Sequence, residues 1–308
     1  MAPPPRDAVA DEGVRPPEFH LGRIALGFYL DLIDMGREGG DVLSPLLMAA
    51  VREANLAPIG AAAGEALRPV SINALAGSLG LPYETVRRRV HLMAADGRCE
   101  IGPAGVVAPD ADRWTASDQA RAAPLQARVR RMWTDITERA GRADIAEDAP
   151  EPPAAPPEPE AALRLCDRLV TQYFLRVAEV VVGELGDPFT GFVVLNLARA
   201  NIRQAPLADE AGREDLPRDR QAARALRLAE TLGVPAETIR RHVRALEERG
   251  YIVARPEGLV LSDEALRSSV AHKLIPAAAM NAVRLLGQLR RAGVLELWEV
   301  EARARVSG

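Results

Sequence analysis

Leu75–Asp110 reads LAGSLGLPYETVRRRVHLMAADGRCEIGPAGVVAPD, and Leu228–Asp263 reads LAETLGVPAETIRRHVRALEERGYIVARPEGLVLSD. The two stretches align without a gap at a constant offset of 153, with 15 identities in 36 positions. A repeat of this kind fixes the unit of architecture before composition is considered. In the first copy Ser71 is a candidate N-cap for a short helix ending near Leu79, because its hydroxyl can accept from an orphan backbone N–H. Gly80 suits the left-handed C-terminal position, and Pro82 suits the start of the next helix. That helix runs to about Asp96 and stops at Gly97, and the second copy repeats the punctuation with Gly233, Pro235 and Gly250. An extended stretch, a Pro-x-Gly turn (Pro103–Gly105, Pro256–Gly258) and another extended stretch then predict a β-hairpin.

At about 100° per residue, the second helix of each copy has two faces. Val86, Val90 and Met93 point inward in the first copy, as do Ile239, Val243 and Leu246 in the second. Glu84, Thr85, Arg88 and His91 point outward with Arg87 on the flank; Glu237, Thr238, Arg241 and Arg244 do so in the second, flanked by Arg240. The exposed faces are expected to differ between copies, with Tyr83, Arg89 and His91 set against Ala236, His242 and Arg244. A short helix, a tight turn and a second helix with a basic, hydrogen-bonding face form the layout that places a helix in the DNA major groove. There arginine bonds guanine through two N–H groups, and threonine reaches a phosphate or a base edge. Arg255 beside the second hairpin turn and Arg98 at the base of the first are placed to reach the neighbouring backbone. An Arg-rich helix face alone is more often a solvated face. The complete pattern occurring twice outweighs that reading.

The strings LGLPYETVRRRVHLMAADG and LGVPAETIRRHVRALEERG resemble the winged helix-turn-helix of bacterial transcriptional regulators of the GntR, DeoR and MarR types. The resemblance covers about 36 residues in each half. It implies that the second helix is a recognition helix and the hairpin a wing. The order helix, helix, helix-turn-helix, wing, long helix is similar to a MarR subunit in topology, so the chain is expected to be its own pseudo-dimer. It lacks the separate effector-binding domain of GntR-type proteins.

The duplication extends outward from the repeated core. A helical apolar stripe over His20–Met35 is echoed over Leu163–Val182, with the aromatic pairs Phe28-Tyr29 and Tyr173-Phe174 in matching places. Second helices at about Val42–Leu56 and Phe189–Ile202 end in Ala54-Asn55-Leu56 and Ala200-Asn201-Ile202. A helix at about Ser117–Arg139 closes the first half. One or two helices, interrupted at Pro276, are expected across Asp263–Arg291. Residues 1–18 carry five prolines and read as a tail; 141–160 (GRADIAEDAPEPPAAPPEPE) hold six prolines and six acidic residues and read as a semi-rigid linker. The fold class is therefore mainly α with small β-hairpin wings, as two units at 19–140 and 161–308.

At 308 residues the chain has room for two such units, and its 48% hydrophobic content is enough for packed cores. The formal net charge is −4, so any attraction for phosphates must be local. Residues 66–105 carry five Lys/Arg against three Asp/Glu, and residues 220–262 eight against five. The linker and the loop at 208–215 hold much of the compensating acid. Cys99 and Cys166 are too few for a disulfide framework, and both are expected to be buried. The histidines 20, 91, 242 and 272 have no metal-ligand spacing, and no metal or cofactor is expected. His91 and His242, being on the reading helices, are better placed for phosphate contact than for catalysis. Gly60–Gly64 (GAAAG) lacks the lysine of a phosphate loop. The four aromatics of the first helices suit inter-unit packing better than an effector pocket. No nucleophile–base or paired-carboxylate constellation points to an enzyme. No uncharged run reaches the roughly 18 residues of a membrane span, and no signal pattern opens the chain. The expected function is a cytoplasmic, nucleoid-associated regulator of transcription that binds double-stranded DNA as a monomeric pseudo-dimer or a homodimer. Any small-molecule effector is unspecified by the sequence. The alternative is a winged-helix interaction subunit in chromosome maintenance or replication initiation.

Overall fold

The computed structural model describes residues 17–37, 41–56, 68–109, 114–139, 153, 155–202 and 221–306. The tail expected at 1–16, most of the linker (141–152 and 154), the glycine-alanine stretch 60–64 and the loop 208–215 lie outside these residues. The described chain is mainly helical, with two small antiparallel hairpins. The first half runs α1 (Pro17–Gly36), α2 (Leu43–Asn55), α3 (Ile72–Leu79), α4 (Tyr83–Ala95), β1 (Glu100–Gly102), β2 (Gly105–Val107) and α5 (Ala116–Arg139). The second runs α6 (Pro159–Leu185), α7 (Pro188–Ile202), α8 (Ala225–Leu232), α9 (Ala236–Glu248), β3 (Ile252–Arg255), β4 (Gly258–Leu261), α10 (Asp263–Leu266), α11 (Ser269–Arg291) and α12 (Val294–Val306).

The repeat in sequence is a repeat in structure. Both α3 and α4 recur as α8 and α9 at the same offset of 153, residue for residue. The hairpin registers also coincide: Glu100 faces Val107 as Val253 faces Val260, and Gly102 faces Gly105 as Arg255 faces Gly258. Each hairpin takes a further pairing from the residue preceding its helix-turn-helix, Val70 with Val106 and Ala223 with Leu259. Those pairings explain the glycines of the two Pro-x-Gly turns. Gly105 (φ +136°) and Gly258 (φ +144°) each lie so close to the opposing strand that a Cβ would stand 2.7 Å from the carbonyl oxygen of Val70 or Ala223. Ser71 caps α3 as expected, accepting from the Ala74 N–H at 3.1 Å. In the second copy Arg224 occupies that position and provides no side-chain cap. Pro82 and Pro235 stand at the cap positions, one residue ahead of their helices.

Three boundaries differ from the sequence reading. Prolines 17 and 159 open α1 and α6, so the last two residues of the expected tail and of the expected linker are helical; a missing N–H costs nothing in a first turn. Pro276 does not interrupt its helix. The break falls at Arg267–Ser268, where Ser268 caps α11 by accepting from the Ala271 N–H. The proline deprives only the His272 carbonyl of its donor, on an exposed turn where water can replace it. Pro124 inside α5 has the same relation to exposed Ala120. A final helix, α12, follows where none was expected, and packs on α11.

The halves interlock through one shared core. Helix α1 packs against α11 and α6 against α5, so each half embraces the other's last long helix. The four aromatics meet between the halves: Phe28 with Tyr173 at 5.3 Å between ring centroids, and Tyr29 with Phe174 at 5.1 Å. All four rings are buried, and Phe28 and Phe174 are each worth roughly 1.5–3 kcal/mol on transfer from water. Tyr173 Oη donates to the Ala25 carbonyl at 2.7 Å across the junction. The two crossings are built differently. On one side Gly22 lies against α11, where a Cβ would come within 2.3 Å of the Ile275 carbonyl oxygen. On the other, Arg121 of α5 pairs with Asp167 of α6, its Nη2 2.9 Å from Oδ2.

Candidate nucleic-acid interface

Each α4-type helix (α4, α9) is positioned from beneath by its apolar stripe and by contacts with α2 or α7. Val86, Val90 and Met93 are buried, as are Ile239, Val243 and Leu246, in agreement with the helical periodicity. The hairpin beside it is anchored by a buried asparagine at the end of the second helix. Asn55 Nδ2 donates to the carbonyls of Arg68 (2.8 Å) and Val106 (3.2 Å), and its Oδ1 accepts from the Ala108 N–H at 2.7 Å. Asn201 repeats this with Gln221 (2.7 Å), Leu259 (3.3 Å) and Leu261 (2.8 Å). One amide thus ties the hairpin to the segment before α3 or α8, and its oxygen accepts from the interior N–H of Ala108 or Leu261. The only sign of this in the sequence is the echo Ala-Asn-Leu/Ala-Asn-Ile.

The outward faces fall into three groups. Arg88, His91, Arg241 and Arg255 are exposed and make no hydrogen bond or ion pair among the described residues. Tyr83, opening α4, is 49% exposed. Arg87, Arg240 and Arg244 are exposed but already engaged. Arg87 binds Glu84 through both Nε (2.9 Å) and Nη2 (2.7 Å), Arg240 binds Glu237 at 2.9 Å, and Arg244 binds Glu248 at 3.3 Å. The hydrogen bond from Arg87 is the main cause that holds the Glu84 carboxyl below its ordinary range. Thr85, Thr238 and Arg98 are half-buried, so only part of each faces solvent.

Two residues expected among the exposed differences are turned inward. Arg89 forms an ion pair with Asp41 at the start of α2, and His242 packs its ring on Phe189 at 4.6 Å, at the start of α7. Asp41 and Asp187 cap those helices in the same way, accepting from the hydroxyls of Ser44 (3.1 Å) and Thr190 (2.5 Å). His242 Nδ1 lies 3.3 Å from Thr190 Oγ1. Burial holds the His242 ring below the ordinary histidine pKa. A partly buried ring engaged with α7 is not available to a phosphate, so that expectation for His242 is withdrawn; His91 alone of the two faces solvent. The position is 60° of helical rotation from the apolar stripe, which makes it a flank rather than an outer face.

No family model, curated protein or solved structure matches the chain. Among the described residues no group of three or more His, Cys, Asp or Glu is arranged to hold a metal ion, and no single helix is long and apolar enough to cross a membrane. Cys99 and Cys166 are both buried, and burial pushes the Cys166 thiol up to about 12, far from the range of a reactive thiolate.

Proposed function

We propose that each half is a winged helix-turn-helix unit, that the two are related by a pseudo-two-fold axis, and that the chain is a sequence-reading, DNA-binding regulator of transcription. The observation that carries this reading is the exposure of Arg88 and Arg241 at equivalent positions of two helices whose inner faces and neighbouring hairpins are locked in place. Arginines so placed present a fork of N–H donors matched to the guanine edge, on a rigid support. Glu84, Thr85, Arg87 and His91 complete one reading surface with Tyr83 and Arg98; Glu237, Thr238, Arg240 and Arg244 complete the other with Arg255. Since the surfaces differ, the two half-sites differ. The unit belongs in the cytoplasm, on the nucleoid.

Selection from a pool of random duplexes at two salt concentrations tests this. A bipartite motif is expected, and Arg88→Ala or Arg241→Ala should each cost roughly 1–3 kcal/mol and relax the sequence preference in one half-site. A uniform loss across sequences would make both residues phosphate clamps. No enrichment at either salt sinks the regulator reading. The exposed Leu92 (59%) on α4 and Leu226 (62%) on α8 would then favour a protein-docking role in chromosome maintenance or replication initiation.

A further inference from the structure

The two halves carry different solutions at one place, and the second shows what the first lacks. Helices α2 and α7 match at an offset of 146 (Asp41 with Asp187, Asn55 with Asn201), and α1 and α6 at 145 (Phe28 with Tyr173). At these offsets Glu53 stands where Arg199 stands, and Glu179 where Asp34 stands. In the second half the Arg199 guanidinium fills the space between α7 and α1. It donates to Asp34 Oδ2 at 2.9 Å and Asn196 Oδ1 at 2.7 Å, and lies 3.7 Å from Asp31 Oδ1.

In the first half the corresponding space is a cleft of about 350 Å³ between α2, α3 and α6. Its apolar walls include Ala50, Leu79, Leu175 and Val182, and its charged groups are Glu53, Glu179 and Arg176. Glu53 Oε1 accepts from Gln172 Nε2 at 2.9 Å, whereas Oε2 is buried with no hydrogen-bond partner. Arg176, standing where Asp31 stands in the other half, is spent on the same glutamine, its Nη2 3.4 Å from Gln172 Oε1. Two carboxyl groups and one guanidinium leave the cleft one negative charge in excess. A carboxylate with one oxygen buried and without a donor is poorly compensated, so positive charge entering beside it is favoured.

We propose that this cleft binds a small organic cation, a guanidinium or ammonium group on a short apolar body, with the charged end beside the carboxylates of Glu53 and Glu179. The occupant supplies from solution what Arg199 supplies from the chain, and its apolar body lies along the Ala50–Leu175 wall. The inference is independent of what α4 and α9 read. Val182, which lines the cleft, also lies against Gly80 in the α3–α4 turn, so an occupant sits one side chain away from that turn.

Calorimetric titration of the full chain with butylguanidinium and butylammonium, and with butylurea as the neutral isostere, tests the site. The cations are expected to bind at one site and butylurea not. Glu53→Gln should weaken the cations roughly tenfold or more, the loss of one charge-assisted hydrogen bond. Glu53→Arg, which places a guanidinium in the cleft as Arg199 does, should abolish binding while circular dichroism shows the fold retained. Failure of both cations to bind the unmodified chain, equal binding of butylurea, or undiminished binding to Glu53→Arg overturns the proposal. Should Glu53→Gln fail to fold, Glu179→Gln takes its place, and unchanged affinity there overturns the proposal equally.

Discussion

Arg89 and His242 occupy the same place in the two halves and fasten the same helix by different chemistry. Arg89 reaches Asp41 as an ion pair, whereas His242 lies against Phe189 and Thr190 with Asp187 behind. Around them the scaffold is held constant: the Asp-Ser/Thr cap, the asparagine anchor and the hairpin register are all duplicated. What changes between the halves is which contacts respond to conditions. A guanidinium remains charged throughout the working pH range, but a half-buried imidazole does not.

The largest expected effects test the constant part. Asn55→Ala and Asn201→Ala each remove three hydrogen bonds and leave the Ala108 or Leu261 N–H without its side-chain acceptor, so each should cost about 3 kcal/mol. Urea denaturation monitored by circular dichroism measures this. Similar losses in the two variants support a scaffold shared by both halves. A large loss in one and none in the other would break the equivalence at its firmest point.

The variable part has a smaller, pH-dependent signature. Burial is the first cause lowering the His242 pKa; Arg241 lowers it further, and Asp187 opposes. The unfolded chain therefore takes up the proton at a higher pH, near the ordinary value of about 6.5. Stability is complete above that value and is lost as pH falls through it toward the lowered folded-state value. His242→Arg, which copies the Arg89 arrangement against Asp187, should abolish this loss. The test compares denaturation midpoints of the two proteins at pH 7.5 and pH 5.5. Parallel shifts in both would show that other groups carry the acid sensitivity.

This contrast also marks where the sequence stops informing. The α3–α4 hairpin unit was legible because its repeat is gapless and its glycines and prolines punctuate every boundary. Packing of the four aromatics between the halves was legible too, but which long helices cross was not, since α1 and α6 match only at an offset of 145 and carry few identities. One exchange shows the difficulty. Gly36 makes room for Pro45 in the first half, whereas Gly191 makes room for Val181 in the second. At the respective offsets these are the same two positions with the small residue moved to the other side, so an identity count loses the match that packing preserves. On α4 and α9 the charge pattern located the exposed faces. It left open which arginines were already held, because a glutamate three residues earlier serves equally as a groove contact or as a partner within the helix.

That last ambiguity sets the smallest expected effect. Glu84 holds Arg87 through two bonds, whereas Glu237 holds Arg240 through one. Both pairs are exposed, so Glu84→Gln and Glu237→Gln should leave the denaturation midpoint unchanged. On DNA the outcome should differ between halves. Releasing Arg87 allows it to neutralise a phosphate, and one added phosphate contact steepens the plot of log affinity against log salt by about 0.9. The single bond of Arg240 gives way to a phosphate more readily, so Glu237→Gln should steepen the plot less than Glu84→Gln. Equal slopes for all three proteins would mean that neither glutamate restrains its arginine.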